Sequence, residues 1–275
     1  MLLGAIGALS VLIGVVAWLI AGGLWVLPVA ALVAFLVLLG LAFGILMIMC
    51  KRVDQDVPQE EDDKFYRIVT NLIIQSALPV LQIHVKKYGL EKMPKEGRFL
   101  LVCNHCNDSD PIILLHCLTK YQLAFVSKKE NRDMFVIGPM MHKIQCQLIN
   151  RENDREALKT ILNCIRIIKE DKASIAVFPE GGIKGGNVLH PFRSGVFKIA
   201  LRTKVPVVVC TLWGTQDVFH NGLRLKPTDV QFHVLGVVQP EVYKDMTAVD
   251  LGHLVHDMMA KDLGPDRVLF VEENP

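Results

Sequence analysis

The first fifty residues of the chain carry no charged side chain, because Lys, Arg, Asp, Glu and His occur only from Lys51 onward. Two apolar runs, at about residues 2–21 and 26–50, are each long enough to cross a hydrocarbon core of ~30 Å as a helix. Two glycines at 22–23 indicate a tight turn between the runs. The sequence therefore predicts a helical hairpin over residues 1–50 that is embedded in a membrane. The hairpin either spans the bilayer or enters and leaves one leaflet.

Two basic residues, Lys51 and Arg52, follow the second apolar run directly. Basic residues beside a membrane span favour the cytoplasmic side. We therefore expect a membrane protein whose globular part lies on the cytoplasmic face. A signal peptide is a poor alternative, since the run has no basic region before it.

Residues 51–83 are predicted to form a linker and an amphipathic helix. The linker is acidic and contains a proline, and residues 64–83 then place apolar side chains at helical spacing. Such a helix either lies at the lipid surface or packs on the globular domain. Pro79 is expected to break or kink it.

Residues 84–275 alternate between strand-like and helix-like segments, which predicts a single α/β catalytic domain. Its sheet should be mixed and largely parallel, with helices on its flanks, and its site should lie at the carboxyl ends of the strands. The predicted strands are residues 99–103, 122–127, 145–149, 174–178, 205–212 and 230–238. The predicted helices are residues 111–119, 153–170, 194–202 and 248–263, with Asn153 or Asp154 and Ser194 as caps.

Charge and cysteine usage exclude several function classes. A net charge of +2 argues against nucleic acid as a partner. The seven cysteines are odd in number and irregularly spaced, which favours a reducing compartment over a disulfide scaffold. Cys103 and Cys106 flank His105, but no second Cys/His pair follows at ligand spacing, so we predict no metal site.

The first chemically informative segment is Asn104-His105-Cys106-Asn107-Asp108-Ser109-Asp110-Pro111, which lies between a predicted strand and a predicted helix. A loop there can fold Asp110 back onto His105. A carboxylate on one ring nitrogen would leave the other nitrogen free to act as a general base. Other interpretations stay open, because Asp followed by Pro is typical of a helix start, His105 can be an ordinary loop histidine, and Asp108 is a second candidate partner.

The second segment is Phe178-Pro179-Glu180-Gly181-Gly182, again just past a predicted strand. Its glycines allow positive φ and a close approach of a ligand to the backbone. Glu180 could bind the hydroxyl of an acceptor. The alternative is an ordinary turn at the end of a strand.

Together with four further segments, these two resemble the glycerolipid acyltransferase family, which includes the 1-acylglycerol-3-phosphate acyltransferases. The resemblance covers about residues 84–240. The further segments are Lys128-Lys129-Glu130, residues 138–151 ending at Arg151, Pro191-Phe192-Arg193-Ser194-Gly195 and Val205-Pro206-Val207-Val208.

The resemblance implies transfer of a fatty acyl group to a lysophospholipid hydroxyl, without an acyl-enzyme intermediate. The donor would be acyl-CoA or acyl carrier protein, acting as co-substrate, with no other cofactor, and membrane lipids would be partners. His105 would be the general base and Asp110 its orienting partner. The implied substrate-binding residues are Lys128, Arg151, Glu180, Gly181, Lys184 and Arg193, and basic residues among them would hold the acceptor phosphate.

One departure from the family pattern concerns the acceptor. The family's third motif commonly continues Glu-Gly-Thr-Arg-Ser, whereas this chain has Ile183 where the arginine is usual. Lys184 or Arg193 could compensate, although an ammonium is less directional than a guanidinium. Lysophosphatidic acid is therefore the expected acceptor, another lysophospholipid is the alternative, and a catalytically inactive protein that binds lipid or an acyl carrier is the non-enzyme alternative.

Overall fold

The computed structural model describes residues 2–185, 188–224 and 226–269. Its helices are α1 (Leu2–Ala21), α2 (Val26–Lys51), α3 (Lys64–Val80), α4 (Asp110–Cys117), α5 (Ile137–Lys143), α6 (Asp154–Lys169), α7 (Lys198–Thr203), α8 (Val218–Leu223), α9 (Pro240–Tyr243) and α10 (Ala248–Leu263). Its strands are β1 (Ile83–Tyr88), β2 (Leu100–Cys103), β3 (Leu123–Lys128), β4 (Gln147–Ile149), β5 (Ser174–Val177), β6 (Val207–Trp213) and β7 (Thr228–Val238).

The seven strands form one sheet in the order β1-β7-β6-β2-β5-β3-β4. Neighbouring strands run parallel except β6 and β7, which are antiparallel. This arrangement confirms the predicted mixed, largely parallel sheet. It also places β2 between β5 and β6 at the centre, so the segments that follow these strands meet at one edge.

Both faces of the sheet are covered, and β2 shows why its sequence is an unbroken apolar run. Leu101 and Cys103 join one core layer, to which α3 and α4 contribute, whereas Leu100 and Val102 join the opposite layer with α6 and α10. All four side chains are fully buried. A strand buried on both faces has no solvent side, so it shows no alternation of polar residues.

The N-terminal hairpin is formed by α1 and α2, as predicted. Gly14 permits their close packing, since a Cβ there would lie 2.8 Å from the Leu27 carbonyl oxygen and 2.9 Å from the Ala31 Cβ. Both helices are long and apolar enough to cross a membrane, and only 6% of the apolar window of α2 is buried within the protein. The hairpin thus leaves its apolar surface uncovered, and its placement in lipid stays a prediction.

Helix α3 packs on the globular domain, as one of the two interpretations of this segment predicts. Its buried Arg67 pairs with Asp62 and donates to the carbonyls of Leu123 (3.1 Å) and Ile144 (3.2 Å). The opposite face of the helix is exposed at Phe65 and Ile68. Pro79 lies in the last turn, and the helix ends one residue later. The division of the chain at residues 50 and 83 stays a prediction. Strand β1 begins at Ile83, the last residue of the predicted linker segment.

Four helices and strands were not predicted from the sequence: β1, α5, α8 and the four-residue α9. Strand β1 contains two consecutive lysines and is mostly exposed because it is an edge strand, paired with β7, so it lacks the apolar run of the central strands. Helices α5 and α8 have six or seven residues, and each contains a glycine, which lowers helix propensity. Short elements of this kind are held by tertiary packing rather than by a local pattern.

Several predicted boundaries were wrong by a few residues, and two of these differences have a clear structural reason. The strand predicted at residues 145–149 begins only at Gln147, because Gln145 has a φ of +67° and cannot extend the strand. The helix predicted from Ser194 starts as a 3₁₀ turn, Ser194–Phe197, and Ser194 makes no capping bond. The predicted cap at Asn153 is confirmed, since its side chain accepts from the backbone N–H groups of Arg155 (3.1 Å) and Glu156 (3.2 Å).

Candidate active site

The loop between β2 and α4 brings His105 and Asp110 together, as predicted. Asp110 Oδ2 lies 2.8 Å from His105 Nδ1, and the Asp110 side chain is completely buried. The same oxygen accepts from the backbone N–H groups of Cys106 (2.7 Å) and Asn107 (2.9 Å). Asp110 is also the first residue of α4, where the helix dipole favours a negative charge.

This geometry identifies which carboxylate of the first segment faces His105. Asp110 starts a helix and orients His105 at the same time, so the two interpretations of Asp110 are compatible. Asp108 is exposed and its carboxylate is not the one that contacts His105. Asp110 is therefore the partner.

The His105 ring is held so that one nitrogen stays available. Nδ1 faces the carboxylate of Asp110, and we assign the proton to Nδ1 on that basis. The ring stacks on Phe178, with centroids 4.2 Å apart and planes at 19°. No hydrogen bond from a described residue reaches Nε2, so this nitrogen can act as a base towards a bound hydroxyl.

The backbone around His105 is fixed by two buried polar side chains. Asn104 donates to the Leu212 carbonyl (2.9 Å) and accepts from the Leu212 N–H (2.7 Å), which joins the loop to the end of β6. Glu180 accepts from the His105 N–H through Oε1 (2.7 Å) and from the His190 N–H through Oε2 (3.0 Å). Asn104 was not assigned a role from the sequence, although a buried-type strand followed by Asn-His was the available signal.

The environment of Glu180 corrects the expectation that it binds an acceptor hydroxyl. Only 2% of the residue is exposed, and both carboxylate oxygens face backbone N–H groups. Burial raises the pKa of its carboxyl, while the hydrogen bonds from His105 and His190 oppose that rise. Glu180 therefore positions the loops on both sides of the site.

A groove lined in part by Phe178, the ring on which His105 stacks, brings two arginines together. Gly181 and Gly182 have φ values of +77° and +145°. A Cβ on Gly181 would lie 2.7 Å from Arg193 Nε, and a Cβ on Gly182 would lie 2.8 Å from Arg151 Nη1. The two glycines therefore provide the space into which both guanidinium groups extend.

The two guanidinium groups carry charge that no described carboxylate neutralises by direct contact. Neither makes a salt bridge, although Glu130 acts on Arg151 at longer range. Burial lowers the pKa of Arg151, and the positive charge of Arg193 lowers it further. An anion in the groove would relieve this repulsion, and a phosphate suits the planar, two-pronged donor geometry of arginine.

The rest of the groove is mainly apolar. It has a volume of about 420 Å³. Its walls come from the ends of β3, β4 and β5, from α6 and from the 3₁₀ turn before α7, and they include Val126, Ile149, Leu158, Ile161, Val177, Phe178 and Val196. Arg151, Arg193, Lys198 and Asp154 line the groove together with these apolar walls, and this combination matches a ligand with an anionic head and a hydrocarbon chain.

Three predicted or questioned positions lie outside the groove lining. Lys128, at the end of β3, and Lys184, in the loop after β5, are both exposed. Ile183, which replaces the family's usual arginine, is also exposed at 42%. A contact between either lysine and an acceptor stays a prediction, whereas Arg193 lies close enough to Arg151 to supply the second guanidinium.

The cysteine beside His105 is not poised as a nucleophile. Burial, followed by the charges of Asp110 and Glu180, raises the pKa of the Cys106 thiol to about 12. Within residues 2–185, 188–224 and 226–269, no cluster of three or more His, Cys, Asp or Glu side chains could hold a metal ion.

Comparison with known proteins shows which family the globular domain resembles. A family model described as Acyltransferase matches residues 84–213, which include every residue of the site described above. This part of the chain is therefore similar to the acyltransferase family. Within that family, the chain resembles the 1-acylglycerol-3-phosphate acyltransferases.

Three similar proteins illustrate the resemblance. A probable 1-acyl-sn-glycerol-3-phosphate acyltransferase of Mycoplasma pneumoniae is 29% identical over 178 residues, which are 63% of this chain and 64% of that protein. A chloroplastic one of Brassica napus is 31% identical over 58% of this chain and 45% of its own length. One of Cocos nucifera is 25% identical over 60% and 54%. The chain thus spans less than two thirds of the length of each relative.

A solved structure shares the fold. The crystal structure of the 1-acyl-sn-glycerophosphate acyltransferase PlsC from Thermotoga maritima matches with a TM-score of 0.64 and 21% identity. The match covers 81% of this chain and 87% of that one.

Proposed function

We propose that this protein transfers a fatty acyl group from an acyl thioester to the free hydroxyl of lysophosphatidic acid, giving phosphatidic acid for phospholipid synthesis. The donor is acyl-CoA or an acyl carrier protein. The observation that carries the proposal is the His105–Asp110 pair, 2.8 Å apart, beside a groove with apolar walls and two arginines. The resemblance to 1-acylglycerol-3-phosphate acyltransferases supports the same reaction.

The proposed chemistry starts at the free Nε2 of His105. This nitrogen takes the proton of the acceptor hydroxyl while the hydroxyl oxygen attacks the thioester carbonyl carbon. The resulting tetrahedral oxyanion collapses, the C–S bond breaks, and the leaving thiolate receives the proton from the imidazolium. The carboxylate of Asp110 stabilises the imidazolium between these two steps. No acyl-enzyme is needed, in keeping with the raised pKa of Cys106.

The groove is proposed to hold the acceptor. Arg151 and Arg193 would bind its phosphate, and the apolar side chains on β3, β4, β5 and α6 would receive hydrocarbon. Charge-assisted hydrogen bonds of this kind orient the ligand as well as attract it. Orientation of the hydroxyl towards Nε2 would contribute to the rate in addition to the base itself.

The N-terminal hairpin supports a location at the membrane, where both substrates with long chains would partition. Lys51 and Arg52 at the end of α2 favour a domain on the cytoplasmic face. This location would let the acceptor and the product exchange directly with the lipid phase.

The decisive experiment compares acceptors at fixed acyl-CoA. Purified full-length protein in phospholipid vesicles is given lysophosphatidic acid, or a lysophospholipid of the same chain length without a terminal phosphomonoester, and the release of free thiol is measured. We expect release only with lysophosphatidic acid. Equal rates with both acceptors would reject the lysophosphatidic acid assignment, and repetition with acyl carrier protein identifies the donor.

A second candidate is the acylation of another lysophospholipid, and Ile183 is the observation that favours it. The absence of the usual arginine there removes one phosphate contact expected from the family pattern.

If the protein instead binds lipid without reacting, thiol release will not exceed that of a His105→Ala variant with any acceptor. That result would leave the non-enzyme alternative.

A further inference from the structure

The segment after α10 contacts the loop that follows the second site motif. Leu189 donates its N–H to the Arg267 carbonyl (2.7 Å), and Leu269 donates to the Leu189 carbonyl (2.9 Å), which makes a parallel β-bridge between Leu189 and Val268. Leu189 and Val268 are both buried. We name residues 264–269 the C-terminal strap.

The strap is fastened at a second point by the side chain of Arg267. Its guanidinium lies over the ring of Trp213, with the central carbon 3.7 Å from the ring centroid. Trp213 is the last residue of β6 and follows Leu212, to which Asn104 is hydrogen-bonded. Guanidinium stacking on tryptophan at this distance is a favourable cation–π contact.

These contacts connect the strap to His105 by two routes. In the first route, Leu189 is followed by His190, whose N–H is bound by Glu180, and Glu180 also binds the His105 N–H. In the second route, Trp213 is adjacent to Leu212, which holds Asn104 beside His105. Each support of the His105 backbone, Glu180 or Asn104, is therefore hydrogen-bonded to a residue next to one that the strap touches.

We propose that the C-terminal strap, anchored by Arg267 on Trp213, is a positioning element of the site, and that Arg267 is its positioning residue. Arg267 does not touch the reacting atoms. It acts by holding Leu189 and His190 where Glu180 can support both loops. The inference rests on the proposed function for its kinetic consequence, whereas its structural consequence can be measured without any turnover.

The experiment uses full-length Arg267→Met, Arg267→Lys and Arg224→Ala in vesicles, with amide hydrogen exchange and kinetics measured on each. Met keeps the apolar stem but removes the charge, Lys restores a cation over the ring, and Arg224 is an exposed arginine at the end of α8 that serves as the matched control. In Arg267→Met we expect amide exchange of residues 188–190 and of His105 to rise about tenfold or more.

The kinetic expectation is a fall in kcat of about fivefold or more in Arg267→Met, with little change in KM for the thioester, recovered in part by Lys. Arg224→Ala should match the wild type in every measurement. Unchanged exchange at residues 188–190 in Arg267→Met would overturn the proposal. A loss of kcat that Arg267→Lys does not recover would also overturn it. The same holds for a loss of kcat that a lower melting temperature fully accounts for. A wild-type protein without transfer activity would refute the proposed function, and the exchange measurement would still test the strap.

Discussion

His105 and the Arg151–Arg193 pair lie at the same edge of the sheet, but their surroundings differ. Around His105, three hydrogen bonds converge on one oxygen of Asp110, and two more buried side chains hold the backbone. The guanidinium groups of the arginines have no salt-bridge partner among the described residues, and they face an open groove. The backbone and the Nδ1 side of His105 are thus held by several protein contacts, while the two arginines have donors left over.

This difference indicates that the two regions have different functions, catalysis at His105 and anion binding at the arginines. A catalytic base must be held in one orientation before the substrate arrives, and fixed hydrogen bonds achieve that. A binding group for an anion must keep its donors free, and the mutual repulsion of two arginines is relieved only by a ligand. Substitutions in the first region should therefore lower kcat, and substitutions in the second should raise KM for the acceptor.

The largest expected effect is that of His105→Ala. Because this change removes the base but leaves Glu180, Asn104 and the groove intact, kcat should fall by about 10²- to 10⁴-fold with KM for the acceptor nearly unchanged. Thiol release at saturating substrates measures this. The control is an unchanged circular dichroism spectrum, and activity equal to the wild type would exclude His105 as the base.

Replacing either arginine should act on binding instead. Arg151→Met or Arg193→Met should raise KM for lysophosphatidic acid by about 10- to 100-fold, since a hydrogen bond to a charged group contributes about 1.5–3 kcal/mol. Initial rates against acceptor concentration give the constant.

The matched control for the arginine variants is Lys184→Met, because Lys184 is exposed and lies outside the groove lining. Its KM should stay within about twofold of the wild type. A large rise in Lys184→Met with none in Arg193→Met would mean that the lysine, not the arginine, replaces the missing family contact.

Glu180→Gln is a smaller change to the hydrogen bonds that hold the His105 backbone. The amide keeps one acceptor oxygen but loses the other, so kcat should fall by about tenfold, the scale of one hydrogen bond, with KM unchanged. A rise in KM for the acceptor alone would instead restore the role in acceptor binding predicted from the sequence.

The same variant has a pH signature. Burial raises the folded-state pKa of Glu180 above its unfolded value, so its contribution to stability is present at low pH and is lost as pH rises through the folded pKa. The free energy of unfolding of Glu180→Gln minus that of the wild type should therefore be larger at pH 7 than at pH 4, because only the wild type loses this contribution as pH rises. Denaturant titrations at the two pH values measure it, and the opposite trend would contradict the assigned pKa direction.

The smallest kinetic effect is expected for Asn104→Ala. It leaves the N–H and carbonyl of Leu212 without their buried partner, which should lower the free energy of unfolding by about 1–3 kcal/mol. The loss of kcat should be only a few-fold, because Asp110 and Glu180 still hold His105. Denaturant unfolding followed by the kinetic assay checks both values, and a loss as large as that of His105→Ala would show that the three supports are not redundant.

The sequence by itself determined much of this protein. Fifty residues without a charge predicted a helical hairpin, and the hairpin is present as α1 and α2. Alternating apolar segments predicted the mixed, mostly parallel sheet and most of its strands. The pairing of His105 with Asp110 was also within reach of the sequence, since the six residues between β2 and α4 leave few ways to fold.

Other features were decided only by the tertiary structure. Strand β1 and the short helices α5 and α8 depend on contacts with distant residues, so no local sequence pattern predicts them. The position of Pro79 at a helix end was visible, whereas the packing of α3 through the buried Arg67 was not.

The roles of Glu180 and Arg267 required three dimensions for the same reason. Glu180 accepts a hydrogen bond from the N–H of His105, which is 75 residues away in the sequence. Arg267, which follows α10, stacks on Trp213. A sequence specifies which side chains can accept, donate or stack, because these properties are local and chemical. Which partner each one meets depends on the order in which strands pair, and that order is set by the packing of the whole sheet.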